Sequence, residues 1–288
     1  MSPHPSALET AADWLTVERR DAPLIVSLPH TGTLIPPAIE AALVSPWRAR
    51  KDADWWIDRL YGFARDLGAT VVHTAVSRTV IDVNRDPSGA SLYPGQATTG
   101  LCPVETFDGE PLYRPGLEPD AAEIERRKRL WFAPYHAALA AEVARLRALH
   151  PAIVVYDGHS IRSTIPRLFE GTLPQFNIGT NSGAACASEL EAQIAGLAAA
   201  SGLTSVVNGR FKGGWITRSL GNPAGGVHAV QMELACRGYM IEPDGALDAA
   251  TWPSPWDPAH AEPVRAVLAA ILAAALAFAQ SQPRSAAR

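Results

Sequence analysis

The run Ile153-Val154-Val155-Tyr156, followed by Asp157-Gly158-His159-Ser160, constrains this chain more than any other stretch. Four β-forming residues bounded by Pro151 and Gly158 read as a short buried strand. His159 is then expected where that strand opens into a loop. In open α/β sheets the carboxyl ends of the strands form the crevice in which ligands bind, so an imidazole delivered there is placed for chemistry. The plain alternative is a structural histidine satisfied by its neighbours.

The flanking sequence extends the pattern. Residues 23–28 read as a core strand that ends in Pro29-His30-Thr31-Gly32, a second histidine after an apolar strand. A short helix is expected over 35–44, starting near Pro36-Pro37. Another is expected from about 54 to 67, with Asp52 or Asp54 at its N-terminus and Gly68 as its stop. Residues 70–74 and 79–83 read as strands. Residues 88–119, rich in Pro, Gly and Thr, have the character of a lid or binding loop. Residues 120–150 read as helix, supported by Glu125 and Arg129 at i,i+4 and kinked or split at Pro134. Strands follow at 176–179, 205–207 and, half-buried, at 227–234, with a helix over about 187–200. This alternation predicts an α/β sandwich with a largely parallel or mixed sheet. No linker interrupts it, so residues 1–288 are expected to form a single domain with its core at about 13–280.

Composition narrows the class. Hydrophobic residues make up 47% and charged residues 19%, as in folded globular proteins. Twenty-nine acids against 25 bases give a net charge of -4, which argues against nucleic-acid or anionic-membrane partners. Cys102, Cys186 and Cys236 are odd in number and far apart, so neither a disulfide framework nor a thiolate zinc site is suggested, and a reducing cytoplasmic setting is expected. Residues 1–12 lack the basic-then-apolar order of a signal peptide. The most apolar segment, 266–279, falls short of the roughly 20 residues that span a bilayer and is expected to be a buried C-terminal helix.

Histidines and carboxylates gather at element ends: His30, the pair Asp52 and Asp54, and His159. Two histidines, one carboxylate and a water make the donor set of a catalytic zinc site. Helix capping accounts for one of the two aspartates and leaves the other free to face the cleft. Glu233 lies on a strand of otherwise apolar character, where an unpaired acid is costly, so a functional role competes with an ion pair to Arg237. Residues 208–218 place Arg210, Lys212 and Arg218 among three glycines, a loop that can bring backbone and positive charge to an anion or else serve as a solvated basic turn. A hydrolase using Ser160 is disfavoured, because no Gly-x-Ser-x-Gly elbow is present.

Several blocks in fixed order resemble the N-formylglutamate deformylase (N-formylglutamate amidohydrolase) family over residues 24 to 242. They are Pro29-His30-Thr31-Gly32, Asp52-Ala53-Asp54-Trp55, Ser77-Arg78, Ile81-Asp82-Val83-Asn84-Arg85, Leu92-Tyr93-Pro94-Gly95, Pro134-Tyr135-His136, Asp157-Gly158-His159-Ser160-Ile161-Arg162, the Asn208 to Gly214 loop, and Glu233-Leu234. More distantly the pattern is similar to zinc carboxypeptidases and aspartoacylase. Those relatives carry a glutamate ligand three residues after the first histidine, where this chain has Thr33. The resemblance therefore implies one zinc ion held by His30, His159 and Asp54, with Asp52 as the substitute. It further implies Glu233 as general base and Arg85 with Asn84 as contacts to a substrate carboxylate. Arg162, Arg210, Lys212 and Arg218 are candidates for the second carboxylate of a dianionic N-acyl amino acid. The implied fold is a three-layer α/β/α sandwich of the phosphorylase/hydrolase-like type. The implied reaction is hydrolysis of N-formyl-L-glutamate in histidine degradation. Another N-acyl amino acid hydrolase, a carboxypeptidase-like enzyme and a non-catalytic metal-dependent binding protein are the rival readings.

Overall fold

Side chains of the central strands alternate between two apolar layers, and this alternation sets the architecture. The computed structural model describes residues 10–283, so most of the 1–12 stretch read for a signal peptide, and residues 284–288 of the expected domain, lie outside the described residues. The strands are β1 (Leu15–Glu18), β2 (Leu24–Leu28), β3 (Thr70–Thr74), β4 (Ile153–Ile161), β5 (Phe176–Gly179), β6 (Ser205–Val207) and β7 (Val227–Ala235). They form one sheet in the order β1-β3-β2-β4-β7-β5-β6. β3, β2, β4 and β7 run parallel, β1 and β5 join antiparallel to β3 and β7, and β6 lies parallel to β5.

The helices are α1 (Ala11–Trp14), α2 (Pro37–Glu40), α3 (Ile57–Leu60), α4 (Ala121–Arg127), α5 (Ala133–Leu149), α6 (Ser188–Ala200), α7 (Trp215–Leu220) and α8 (Pro258–Ser281). On one face Val154, Tyr156, Val230, Met232 and Leu234 pack with Leu190 and Ile194 of α6 and Leu268, Ile271 and Leu272 of α8. On the other, Ile25, Ile153, Val155 and Ala229 pack with Tyr135, Leu139 and Leu146 of α5 and Ile216 of α7. Helices thus cover both faces of a mixed, largely parallel sheet, the α/β arrangement expected.

Several local expectations change. β4 runs for nine residues, so His159 lies within the strand, opposite Glu233 of β7, and not in a loop beyond it. β7 is buried throughout instead of half-buried. The helix expected from 54 to 67 breaks into α3 and a 3-10 turn at Gly62–Arg65, with Trp56 in left-handed conformation at φ 62°. The reason lies upstream: the Asp54 N–H donates to the His30 carbonyl at 3.0 Å, which ties the chain to the site before any helix begins. Gly68, at φ 70°, still closes the segment. α2 spans four residues where ten were expected, and 79–83 is a turn, not a strand, stitched by Val80 N–H to the Ser77 carbonyl and Asp82 N–H to the Leu101 carbonyl.

The interruption expected at Pro134 is present. Pro134 supplies no N–H, and the five residues before α5, Lys128–Phe132, wind as a π turn between α4 and α5. Glu125 pairs with Lys128 at 2.7 Å rather than with Arg129. The C-terminal helix has 24 residues, not 14, and a mean hydropathy of 1.8 over its most apolar window, so it is long and apolar enough to cross a membrane. Its buried residues Ala261, Val264, Leu268, Ile271, Leu272, Ala275 and Phe278 nevertheless recur every three to four positions against the sheet, the stripe of a core helix.

Candidate active site

Strand period two decides which side chains meet above the sheet. Asp157 and His159 of β4 share a face with Gln231 and Glu233 of β7, because their Cα positions pair in register. Ser160 points to the opposite face, where the Tyr239 hydroxyl donates to its Oγ at 2.7 Å. His30 follows the end of β2, and the hydrogen bond from Asp54 N–H to its carbonyl brings the Asp54 side chain alongside.

Three donor atoms converge. His159 Nδ1 lies 3.1 Å from His30 Nδ1 and 3.3 Å from Asp54 Oδ2, and His30 Nδ1 lies 3.8 Å from Asp54 Oδ2. A tetrahedral ion with bonds of about 2.0–2.1 Å holds its donors roughly 3.3–3.4 Å apart. The observed separations bracket that value, so this buried group fits a small divalent cation.

Each imidazole is aimed by a carboxylate behind it. His30 Nε2 donates to Asp82 Oδ1 at 2.7 Å, and His159 Nε2 donates to Asp157 Oδ2 at 2.8 Å. With the outer nitrogens so occupied, both Nδ1 lone pairs face inward, the arrangement of carboxylate-supported metal histidines. Asp157 Oδ1 accepts from Ser27 Oγ at 2.9 Å, and its Oδ2 from Asn84 Nδ2 at 3.0 Å. Asp82 also accepts from Arg78 Nη2 at 2.7 Å. A Cβ at position 214 would come within 2.4 Å of Asn84 Nδ2, so glycine is what admits this amide.

The electrostatics follow from burial and these partners. Burial and the nearby Arg78 cation lower the His30 pKa. Burial also works to lower that of His159, but the Asp157 carboxylate outweighs it and holds His159 well above the ordinary range. For Asp82, burial is outweighed by His30 and Arg78, which keep the carboxyl well below its ordinary value. The same field favours a cation between the donors. Glu233 differs: burial pushes it up to about 7, with Asp54 adding to the shift and His159 opposing it. It forms no ion pair among the described residues, so the Arg237 pairing is not made. Gln231 orients it. Gly214 N–H donates to Gln231 Oε1 at 2.6 Å, leaving the amide Nε2 to donate to Glu233 Oε2 at 3.3 Å.

These groups floor an open cleft. Residues of the 88–119 segment form one wall, with Tyr93, Thr98, Thr99 and Phe107 among its lining. The Tyr93 hydroxyl donates to the Gly213 carbonyl at 2.9 Å and so joins that wall to the glycine-rich loop.

The candidate side chains separate into two groups. Asn84, Arg85 and Arg210 line the cleft. Asn84 is largely committed within the protein, since its Oδ1 accepts from Ile216 N–H at 2.8 Å while its Nδ2 holds Asp157. Arg85 Nη2 donates to Thr99 Oγ1 at 3.0 Å, and its Nε lies 3.3 Å from Asp82. The other candidates lie elsewhere. Asp52 accepts from Phe107 N–H at 2.7 Å and pairs with Arg162 at 3.4 Å, away from the histidines, so it cannot substitute for Asp54. Arg162 is further held by Asp108 at 2.7 Å in a neighbouring depression. Lys212 is exposed outside the cleft. Arg218, within α7, donates to the Gly213 carbonyl at 2.9 Å and does not line it.

Four residues of the site were given no role by the sequence reading: Arg78, Asp82, Asp157 and Gln231. The signal for Asp157 and Gln231 was present, because a residue two before His159 or Glu233 on a strand must share its face. Arg78 and Asp82 stand in blocks that carry the resemblance, but nothing in their local pattern sets them behind His30, where they act from a turn.

The sequence model of the N-formylglutamate amidohydrolase family matches residues 22–240, and the chain belongs to that family. The N-formylglutamate deformylase of Pseudomonas aeruginosa is 49% identical over 229 residues, covering 79% of this chain and 86% of that protein. The N-formylglutamate deformylase of Pseudomonas putida is 46% identical over 257 residues, covering 89% and 93%. In fold, the crystal structure of N-formylglutamate amidohydrolase from Ralstonia eutropha JMP134 is similar with a TM-score of 0.74 at 24% identity, over 92% of this chain and 98% of that one.

Replacing Asp157 by Asn keeps its shape and removes the charge behind His159. Affinity for a divalent cation, with zinc as the probe, should weaken about 10- to 100-fold with the fold retained, as read by chelator competition and circular dichroism. Unchanged affinity would show that Asp157 does not aim a metal-binding nitrogen.

Proposed function

We propose that this chain hydrolyses N-formyl-L-glutamate to formate and L-glutamate, with one zinc ion held by His30, Asp54 and His159. The observation that carries the reading is the convergence of those three donors beside a buried, unpaired Glu233 in a chain of this family. Bound there, zinc supplies Lewis-acid chemistry, lowering the pKa of water to about 7 and polarising a carbonyl. Glu233 acts as general base: it takes a proton from the attacking water and passes it to the departing nitrogen as the C–N bond breaks. Gln231 holds the carboxylate in line for both transfers. Arg85 contacts the carboxylate on the carbon that bears the reacting nitrogen, and Asn84 serves by anchoring Asp157. Following the resemblance, we place the reaction late in histidine degradation. A binding protein without turnover has no use for a carboxylate of raised pKa beside the donors, which favours the enzyme.

Three outcomes are expected. The protein binds about one zinc per chain, and the His30→Ala, His159→Ala double variant loses it; elemental analysis showing equal metal in both would put the site elsewhere. Glu233→Gln retains zinc while formate release falls roughly 100-fold or more, and turnover within a few-fold of the parent would leave Glu233 a structural acid. A base works only when deprotonated, so kcat/KM falls as pH drops through the Glu233 pKa. That value is about 7 in the protein alone, and a bound cation draws it lower, which puts the acid limb at or below about 7. An activity flat from pH 8 to pH 4 would remove Glu233 from this role.

A further inference from the structure

Three guanidinium groups face the cleft, and two of them lie beside carboxylates of the protein. Arg78 lies 2.7 Å from Asp82 and 3.5 Å from Asp54, and Arg85 lies 3.3 Å from Asp82. Arg210 pairs with no carboxylate among the described residues. Its Nε donates to the Leu168 carbonyl at 2.9 Å, and its Nη2 to the Ala97 carbonyl at 2.7 Å. The guanidinium also lies 5.5 Å from the Tyr93 ring centroid and 5.3 Å from that of Phe211. These contacts fix its direction without cancelling its charge. A half-buried cation is costly until an anion meets it, and burial together with Arg85 weakens its hold on its proton.

Placement says which anion. Arg85 is one carboxylate removed from His30, through Asp82, and so stands next to the metal donors. The α-carboxylate of an N-formyl amino acid hangs from the carbon bonded to the reacting nitrogen and must stay near those donors. Arg210 touches none of Asp54, Asp82 or Asp157; its partners come from the cleft walls at Ala97 and Leu168. The carboxylate at the far end of a glutamate side chain stands three bonds from that same carbon, two more than the α-carboxylate, and reaches outward toward such a wall. Building on the formylglutamate reading, we infer that Arg210 grips the side-chain carboxylate of the substrate and sets the preference for an acidic side chain. Its remaining N–H groups can meet both carboxylate oxygens, which a lysine cannot do in the same plane.

N-formyl-L-glutamine, a neutral analogue changed only at that carboxylate, isolates the contact. In Arg210→Gln, kcat/KM on formylglutamate should fall roughly 100-fold, whereas that on formylglutamine should change by less than about 3-fold. Arg210→Lys should recover part of the loss on the acid alone, with zinc content and melting temperature as in the parent. Equal losses on acid and amide overturn the assignment, as does a loss that follows amidation of the α-carboxylate instead. Calorimetric binding of L-glutamate against L-glutamine reads the same contact without turnover. If the parent releases no formate from formylglutamate, the proposed reaction fails. Arg210 is then judged by whether Arg210→Gln weakens glutamate binding more than glutamine binding, and equal weakening overturns it.

Discussion

The structure depends on two buried carboxylates, Asp82 and Asp157, each hydrogen-bonded to the outer nitrogen of a histidine. An imidazole has one nitrogen to give inward once the other is taken, so these bonds decide that His30 and His159 present Nδ1 to each other and to Asp54. Much of the surrounding fold keeps the two acids in place. Ser27, Asn84, Arg78 and Arg85 supply the donors or charges that a buried carboxylate requires.

Such a cluster is costly to assemble. Removing one partner of a buried charge pair costs about 3–5 kcal/mol, because the other charge is left stranded. The chain concentrates that risk in one place, above the parallel centre of the sheet, and surrounds it with apolar packing on both faces. Parallel strands suit the purpose, since neighbouring strands then end on the same side and their side chains stay in register. The pairing of β4 with β7 sets Glu233 beside His159 and Gln231 beside Asp157 without any loop taking part.

The cleft walls follow a different logic. Residues 88–119 and the Asn208 to Gly214 loop carry little regular structure, and side chains join them, Tyr93 to Gly213 and Lys212, and Arg210 to Ala97. His159 and Glu233 thus stand on rigid strands, whereas the cleft walls are loops, the kind of segment on which binding residues are commonly carried.

The sequence by itself determined the layered α/β class and the presence of histidines at the ends of two apolar strands. Both rest on local properties: β-propensity, periodicity, and the order of elements along the chain. It also marked Glu233 as an acid out of keeping with its strand. Tertiary structure alone set Asp54 beside the histidines and Asp52 away from them, because the Asp54 N–H is tied to the His30 carbonyl and its carboxylate to Ser160 N–H, while Asp52 turns to the Phe107 N–H. It alone recruited Arg78 and Asp82 from a turn with strand-like composition, and it separated Arg210 from Lys212 and Arg218, three cations that look equivalent in a glycine-rich loop. The physical reason is common to these cases. Which side chain reaches a site depends on backbone direction and on hydrogen bonds to residues distant in sequence, such as Asp54 N–H to the carbonyl of His30.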